Sequence, residues 1–249
     1  MSRIKNIFAT SLSLARANFK LRNEGTHLGM LWFLLEPLMM FATLMAVFAH
    51  RTGEDIPHYP LYLLVGVLMF HFFSKTTSEA ITSVTRQSDL IKSICIDPWV
   101  FVCATFLMVF YIHCVEFLFL GICFIIFGGS LINLLFYPLV LFFFSIFILG
   151  ISLILAVIGV YARDFTYVWR SICVVLWFAM PIAYLPRLKE VWVHVNPIYY
   201  YISIARTLVI DQKIPSLFLI GIAVAFSVLF FALGASFFER HRYKFAERL

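Results

Sequence analysis

His113 and Glu116 stand three residues apart inside a long apolar run, so on a helix they share a face. An imidazole beside a carboxylate in such surroundings can pair, hydrogen-bond to a neighbouring helix, or relay protons. Glu36 precedes Pro37, which removes a backbone hydrogen bond and can kink a helix. That carboxylate is placed either to face a cavity or to satisfy a neighbouring helix. Lys75 and Glu79 are four apart and read as a snorkelling pair near the end of a span. Nucleotide chemistry has no footing, because none of the 11 Gly precedes a Lys and a GxxxxGK[ST] loop is therefore missing. HExxH, GxSxG and zinc-spaced Cys/His groups are missing as well. The expectation is a chain with no catalytic residues, no metal site and no cofactor of its own.

The elements that must position these groups are membrane elements. Of 249 residues, 63% are apolar and 13% charged, and the mean hydropathy is +0.96. A soluble core of this size could not hide so much apolar surface. The fold class expected is all-α integral membrane. Six apolar runs are long enough to span: about 28–49, 59–83, 99–127, 131–161, 165–185 and 215–238. Around them sit an N-terminal amphipathic element (1–27), a broken segment (186–214) and a basic tail (239–249). Residues 1–27 are too charged to be a cleavable leader. The five Cys, at 95, 103, 114, 123 and 173, form no CxxC and read as free thiols.

The net charge of +6 suits topology rather than nucleic acid. Six spans leave thirteen Lys and Arg on the side holding both termini and five on the other, with Lys75 inside the second span. The positive-inside rule then puts both termini in the cytoplasm. Residues 2–22 gather Ile4, Ile7, Phe8, Leu12, Leu14, Ala15 and Phe19 on one helical face, opposite Lys5, Asn6, Ser13, Arg16 and Lys20. Such a helix lies in the interface, as a lipid anchor or as a docking surface. In loop 85–97, Leu90, Ile91 and Ile94 make an apolar strip that either meets a partner or packs back on the bundle. The stretch 186–214 is too apolar for a solvated loop and too charged to span, and Asn196-Pro197 cuts it in two. Two readings stay open for it: re-entrant helices at a pathway, or amphipathic helices resting on the outer leaflet. The 29 Phe face lipid or pack for the most part, and a minority of rings could line a conduit.

Six motifs, in order, carry a resemblance over about residues 16–239. They are Arg22 with Thr26-His27-Leu28-Gly29-Met30-Leu31-Trp32 and Glu36-Pro37; Ile56-Pro57-His58-Tyr59-Pro60-Leu61-Tyr62; Ser88-Asp89-Leu90-Ile91-Lys92; Tyr161-Ala162-Arg163-Asp164; Pro181-Ile182-Ala183-Tyr184; and Asn196-Pro197 with Arg206. The chain resembles the permease subunits of type 2 ABC exporters of lipid-linked surface polysaccharide, such as O-antigen and teichoic acid. Asn23 and Cys95-Ile96-Asp97-Pro98 depart from the family pattern, the latter in the loop that would face a partner.

The resemblance implies a homodimer in the cytoplasmic membrane with two copies of a separate ABC ATP-binding subunit, which would bind ATP and Mg. It implies export of a polysaccharide on a polyprenyl pyrophosphate lipid, with contacts to membrane lipid and none to nucleic acid. Under that reading, Lys5, Arg16, Arg86, Asp89, Leu90, Ile91 and Lys92 would meet the ATPases. Arg22, Arg163 and Arg170 would meet the headgroup at the membrane entrance. Trp32, Phe33, Glu36, Trp177, Tyr184, Tyr199, Tyr200 and Tyr201 would line the conduit or its gate. A drug, lipid or small-molecule exporter is the alternative, and a proton-coupled transporter using His113 and Glu116 is a third reading.

Overall fold

A computed structural model describes residues 2–24, 31–52, 56–88, 90, 96–184 and 195–248. Among them every regular element is a helix. The order is α1 (Ser2–Asn23), α2 (Leu31–Thr52), α3 (Tyr59–Ser83), α4 (Trp99–Ile126), α5 (Leu131–Leu134), α6 (Tyr137–Tyr161), α7 (Phe165–Phe178), α8 (Pro197–Val209), α9 (Leu217–His241) and α10 (Phe245–Arg248), with 3-10 turns at Thr85–Gln87 and Arg242–Lys244. Without water to satisfy exposed backbone groups, helices whose hydrogen bonds close on themselves suit an apolar chain. Among the described residues five segments are long and apolar enough to cross a membrane: Trp32–His50, Tyr59–Ser83, Trp99–Ile126, Leu131–Tyr161 and Leu217–Lys244.

The third of the long helices in sequence matches its expected run closely, and two others are broken by proline. In 131–161, Pro138 cannot donate to the carbonyl of Leu134, so the single turn α5 ends and α6 starts afresh at Tyr137. In 165–185, Pro181 stops the helix at Phe178. Ala179 closes the last turn on the Val175 carbonyl, and residues 180–184 continue outside the helix.

α3 is the axis of the molecule. Leu63, Leu64, Val65, Val67 and Met69 are sealed from solvent, and α2, α4, α6, α7 and α8 all pack against it. The most extensive helix pair is α6 with α9. There Gly150 and Gly234 face one another, and a Cβ on Gly234 would lie 2.1 Å from the Gly150 carbonyl oxygen. Bare backbone contact of this kind gives van der Waals packing where no hydrophobic force drives helices together.

α1 forms over the stretch expected to be an amphipathic helix, and it is seated on the bundle. It packs on α4, with Ser11 and Ala15 buried and Ser11 Oγ donating to the Val100 carbonyl at 3.3 Å. Phe8, expected on the apolar face, is 60% exposed. Small side chains at 11 and 15 let the two backbones approach, and that closeness outweighs burying the larger Phe8.

Both ends of the chain lie at one end of the bundle. Arg22 reaches Glu79 near the end of α3, and Arg242 reaches Asp97 in the loop before α4. Arg248 lies over the Tyr161 ring at the end of α6.

Candidate functional site

One ladder of polar residues crosses four helices in the interior. Glu116 of α4 is buried, and its two carboxylate oxygens accept from His71 Nδ1 of α3 and His113 Nδ1, each at 2.8 Å. His113 Nε2 meets the Tyr137 hydroxyl of α6 at 2.9 Å. With Nδ1–H donated to the carboxylate, a neutral His113 accepts at Nε2 from that hydroxyl. The His113 ring also stacks on Phe72, centroids 4.6 Å apart. At the other end, His71 Nε2 lies 3.6 Å from Glu36 Oε2 of α2, and Lys75 Nζ donates to the same oxygen at 2.8 Å. Of the readings open for His113 and Glu116, the pair is formed, and so are hydrogen bonds to neighbouring helices through His71 and Tyr137.

The expected Lys75–Glu79 pair is not formed. Lys75 pairs across helices with Glu36, while Glu79 holds Arg22 at 3.1 Å and Arg86 at 3.2 Å. Each carboxylate thereby ties α3 to another element, a stronger use than a surface pair within one helix, which contributes only about 0.3–0.5 kcal/mol.

Two cavities open beside these groups. One of about 520 Å³ lies between α1, α3 and α4, lined by Asn18, Arg22, Glu79 and Arg86 with apolar Leu14 and Phe101. The other, about 350 Å³, lies between α2, α3 and α7. Glu36, His71, Lys75, Glu79, Arg86 and Arg170 line it, with hydroxyls of Ser74, Ser78, Thr82 and Thr166.

Near the start of α3, the break after α7 is held by one arginine. Arg206 of α8 is buried and donates from Nε to the Tyr62 carbonyl (3.1 Å), from Nη1 to that of Pro181 (2.8 Å) and from Nη2 to that of Ile182 (2.9 Å). Its guanidinium lies 3.4 Å from the centroid of the Tyr62 ring. The Tyr62 hydroxyl donates to Tyr184 O at 3.1 Å, and the Tyr59 hydroxyl to Ala183 O at 3.0 Å. Carbonyls freed by Pro181 are thus met from three side chains, as non-helical backbone at membrane depth requires. Gly66 makes room, since a Cβ there would lie 2.5 Å from Arg206 Nη2.

The candidate site residues do not gather in one place. Trp32 is half-exposed, Phe33 sits 5.9 Å from Phe19 of α1, and Arg22 lies over the Phe33 ring. Trp177 packs edge-on against Phe70. Tyr184 and Tyr199 are partly buried, and Tyr200 is buried beside Phe226. Tyr201 is fully buried between Phe144 and Phe147, its hydroxyl 2.8 Å from the Ala223 carbonyl and 2.7 Å from Ser227 Oγ. That side chain fastens α8 to α9 and borders a small apolar cavity of about 70 Å³ with Val140, Phe143 and Ile204. Arg163 is exposed in the turn between α6 and α7, and Arg170 borders the smaller cavity.

Lys5 and Arg16 are exposed on α1, as is Arg86 beyond α3. Leu90 packs back on the cluster containing Val84, Phe101 and Phe238. Asp89, Ile91, Lys92, and residues 185–194 of the broken segment lie outside the described residues. Cys103, Cys114, Cys123 and Cys173 are free.

His71, Tyr137 and the role of Arg206 are what sequence spacing misses. His71 stands four residues before Lys75, so a polar stripe on α3 was the available signal.

The family model described as "ABC-2 type transporter" matches residues 11–210. The O-antigen export system permease protein RfbA of Myxococcus xanthus is 24% identical over 249 residues, covering 96% of this chain and 94% of that protein. A protein of the same name from Klebsiella pneumoniae is 22% identical over 250 residues, covering 98% and 96%. With the family match running from α1 to the end of α8, over a chain whose described regular elements are all helices, the protein belongs to the ABC-2 type transporter family.

Proposed function

We propose that this chain is the membrane permease of an ATP-driven exporter that moves a polyprenyl-pyrophosphate-linked, O-antigen-like polysaccharide out across the cytoplasmic membrane. The observation that carries the proposal is likeness, along almost the full length, to permeases named for O-antigen export. A chain that lacks a phosphate-binding loop needs ATP and Mg bound by a partner, here two copies of an ABC ATP-binding subunit. Two permeases form a C2 dimer, the commonest way for a small subunit to enclose a pathway.

The geometry supports a docking face. α1, the turn at Thr85–Gln87, the 162–164 turn and the chain's C-terminal residues share one end, and Lys5, Arg16 and Arg86 are exposed there. By the positive-inside rule that end is cytoplasmic. The run 165–185 starts at this end beside Arg170 and finishes at Tyr184, against Tyr62 near the opposite end of α3. This supports a sixth pass that is only partly helical. α8 then lies as a short gate helix at the outer mouth.

The test is co-expression with the candidate ATPase, followed by purification. A 2:2 complex whose ATPase activity drives glycan export is expected. Export that survives ATP depletion but stops when the proton gradient collapses would replace this reading with a secondary transporter. Normal surface glycan in the absence of the chain would replace it with a drug or lipid exporter.

A further inference from the structure

Glu36 sits where a bound anion would sit. Its carboxylate is held by Lys75 Nζ at 2.8 Å and faces His71 Nε2 at 3.6 Å, on the wall of the smaller cavity. Yet its side chain is 60% exposed, while that of Lys75 is only 23% exposed. The partners are thus built into the bundle and the carboxylate is not. His71 Nε2 is buried and makes no hydrogen bond, although the ring's other nitrogen is firmly bound to Glu116. An orphaned buried ring nitrogen beside a polar cavity calls for a ligand. Among the described residues Arg170, on the same cavity, makes no ion pair.

The charge count points the same way. Lys75, Arg86 and Arg170 line the cavity against Glu36 and Glu79, an excess of one positive charge that becomes two when the Glu36 carboxylate leaves. A diphosphate esterified at both ends carries one negative charge on each phosphate, and guanidinium forks and ammonium groups are its usual partners. Ser74, Ser78 and Thr166 add hydroxyl donors around the cavity. The helix that carries Glu36 is lightly seated, with Pro37 its only buried residue among those described. Its apolar contacts with the core lie further along, from Met40 to Ala49.

We propose that the cavity between α2, α3 and α7 is a diphosphate site for a prenyl-diphosphate lipid, and that Glu36 is its resident stand-in, displaced from Lys75 and His71 when the lipid headgroup enters. Displacement removes the polar tie between α2 and α3, so headgroup binding and loosening of the near half of α2 are one event. The identity of the lipid rests on the export reading; the competition between Glu36 and a diphosphate does not.

Equilibrium binding of labelled farnesyl diphosphate, and separately of inorganic pyrophosphate, to the full-length chain in zwitterionic nanodiscs tests this. Glu36→Gln is expected to bind farnesyl diphosphate about fivefold tighter than wild type, the factor returned by losing a competing, half-exposed ion pair. Arg170→Ala, at an exposed position that does not threaten folding, and Lys75→Met are each expected to weaken binding about tenfold, the loss of one charge-assisted contact. Lys75→Arg should restore it. Equal affinity of wild type and Glu36→Gln, or an Arg170→Ala variant that binds as wild type, overturns the site. Inorganic pyrophosphate binding as tightly as farnesyl diphosphate overturns the lipid as its ligand. Loss of surface glycan is scored separately in cells, so a failed export reading and a failed headgroup site give different results.

Discussion

Replacing Arg206 by Met keeps the length and apolar stem of the side chain and removes its five donors. Three carbonyl contacts are lost, those to Tyr62, Pro181 and Ile182. They are not equal. The Tyr62 carbonyl belongs to a helix, and the Pro181 carbonyl keeps a long contact of 3.4 Å from the Tyr62 hydroxyl. The Ile182 carbonyl loses its donor outright. A buried acceptor left unmet costs about 1–3 kcal/mol, and a charged hydrogen bond contributes about 1.5–3 kcal/mol. One orphaned carbonyl and one weakened one, with the stacking on Tyr62 also gone, come to about 3 kcal/mol. For a chain of this size that lowers the thermal midpoint by about 6–12 °C. The assay is thermal unfolding of the purified protein in detergent, followed by the reactivity of Cys123 and Cys173, both buried and free. Gly66→Ala is the control by a second route, because its Cβ would displace the same guanidinium without touching the charge. A midpoint for Arg206→Met within about 2 °C of wild type, less than 1 kcal/mol for a chain of this length, would refute the reasoning.

Four further outcomes are expected. Glu116→Gln keeps one acceptor oxygen, sets an NH2 against the other imidazole donor and removes the buried charge, and should destabilise by about 3 kcal/mol, against about 1 kcal/mol for Tyr137→Phe, measured by the same thermal assay. Gly234→Val forces α9 off α6 at Gly150 and should abolish recovery of folded protein in size-exclusion profiles. Tyr201→Phe loses both hydroxyl contacts and should lower the thermal midpoint by about 2–4 °C. Glu79→Gln releases Arg22 and Arg86 together, so a cysteine pair placed between α1 and α3 should cross-link less than in the parent protein.

The spanning helices are readable from sequence because burial in lipid demands long apolar runs, and α3, α4 and α9 follow those runs closely. Interruptions are harder to read. Hydropathy counts Met180, Pro181 and Ile182 as continuation of a span, while the backbone, deprived of a donor at Pro181, leaves the helix three residues earlier. The polar ladder was half visible. His113 and Glu116 announce themselves by spacing within one helix, but His71 is 45 residues from Glu116 and Lys75 is 39 residues from Glu36. Spacing within a helix suggests Lys75 with Glu79, and only packing reveals that each finds its partner on another element. Arg206 shows the same limit. As a member of a motif it can be noted, but its task of satisfying carbonyls follows from a break that sequence periodicity does not show. The aromatic candidates divide for a similar reason: Tyr199, Tyr200 and Tyr201 are consecutive, and helical geometry turns Tyr201 inward to Ser227 while leaving Tyr199 partly open.

The central claim is that this chain carries polysaccharide outward for a partner ATPase. Deleting its gene and fractionating the lipid-linked glycan tests it most directly. The account predicts that polymer disappears from the cell surface, accumulates on its lipid inside the cell, and returns to the surface when the chain is restored. Surface polysaccharide at the parental level in the deletion strain would contradict it.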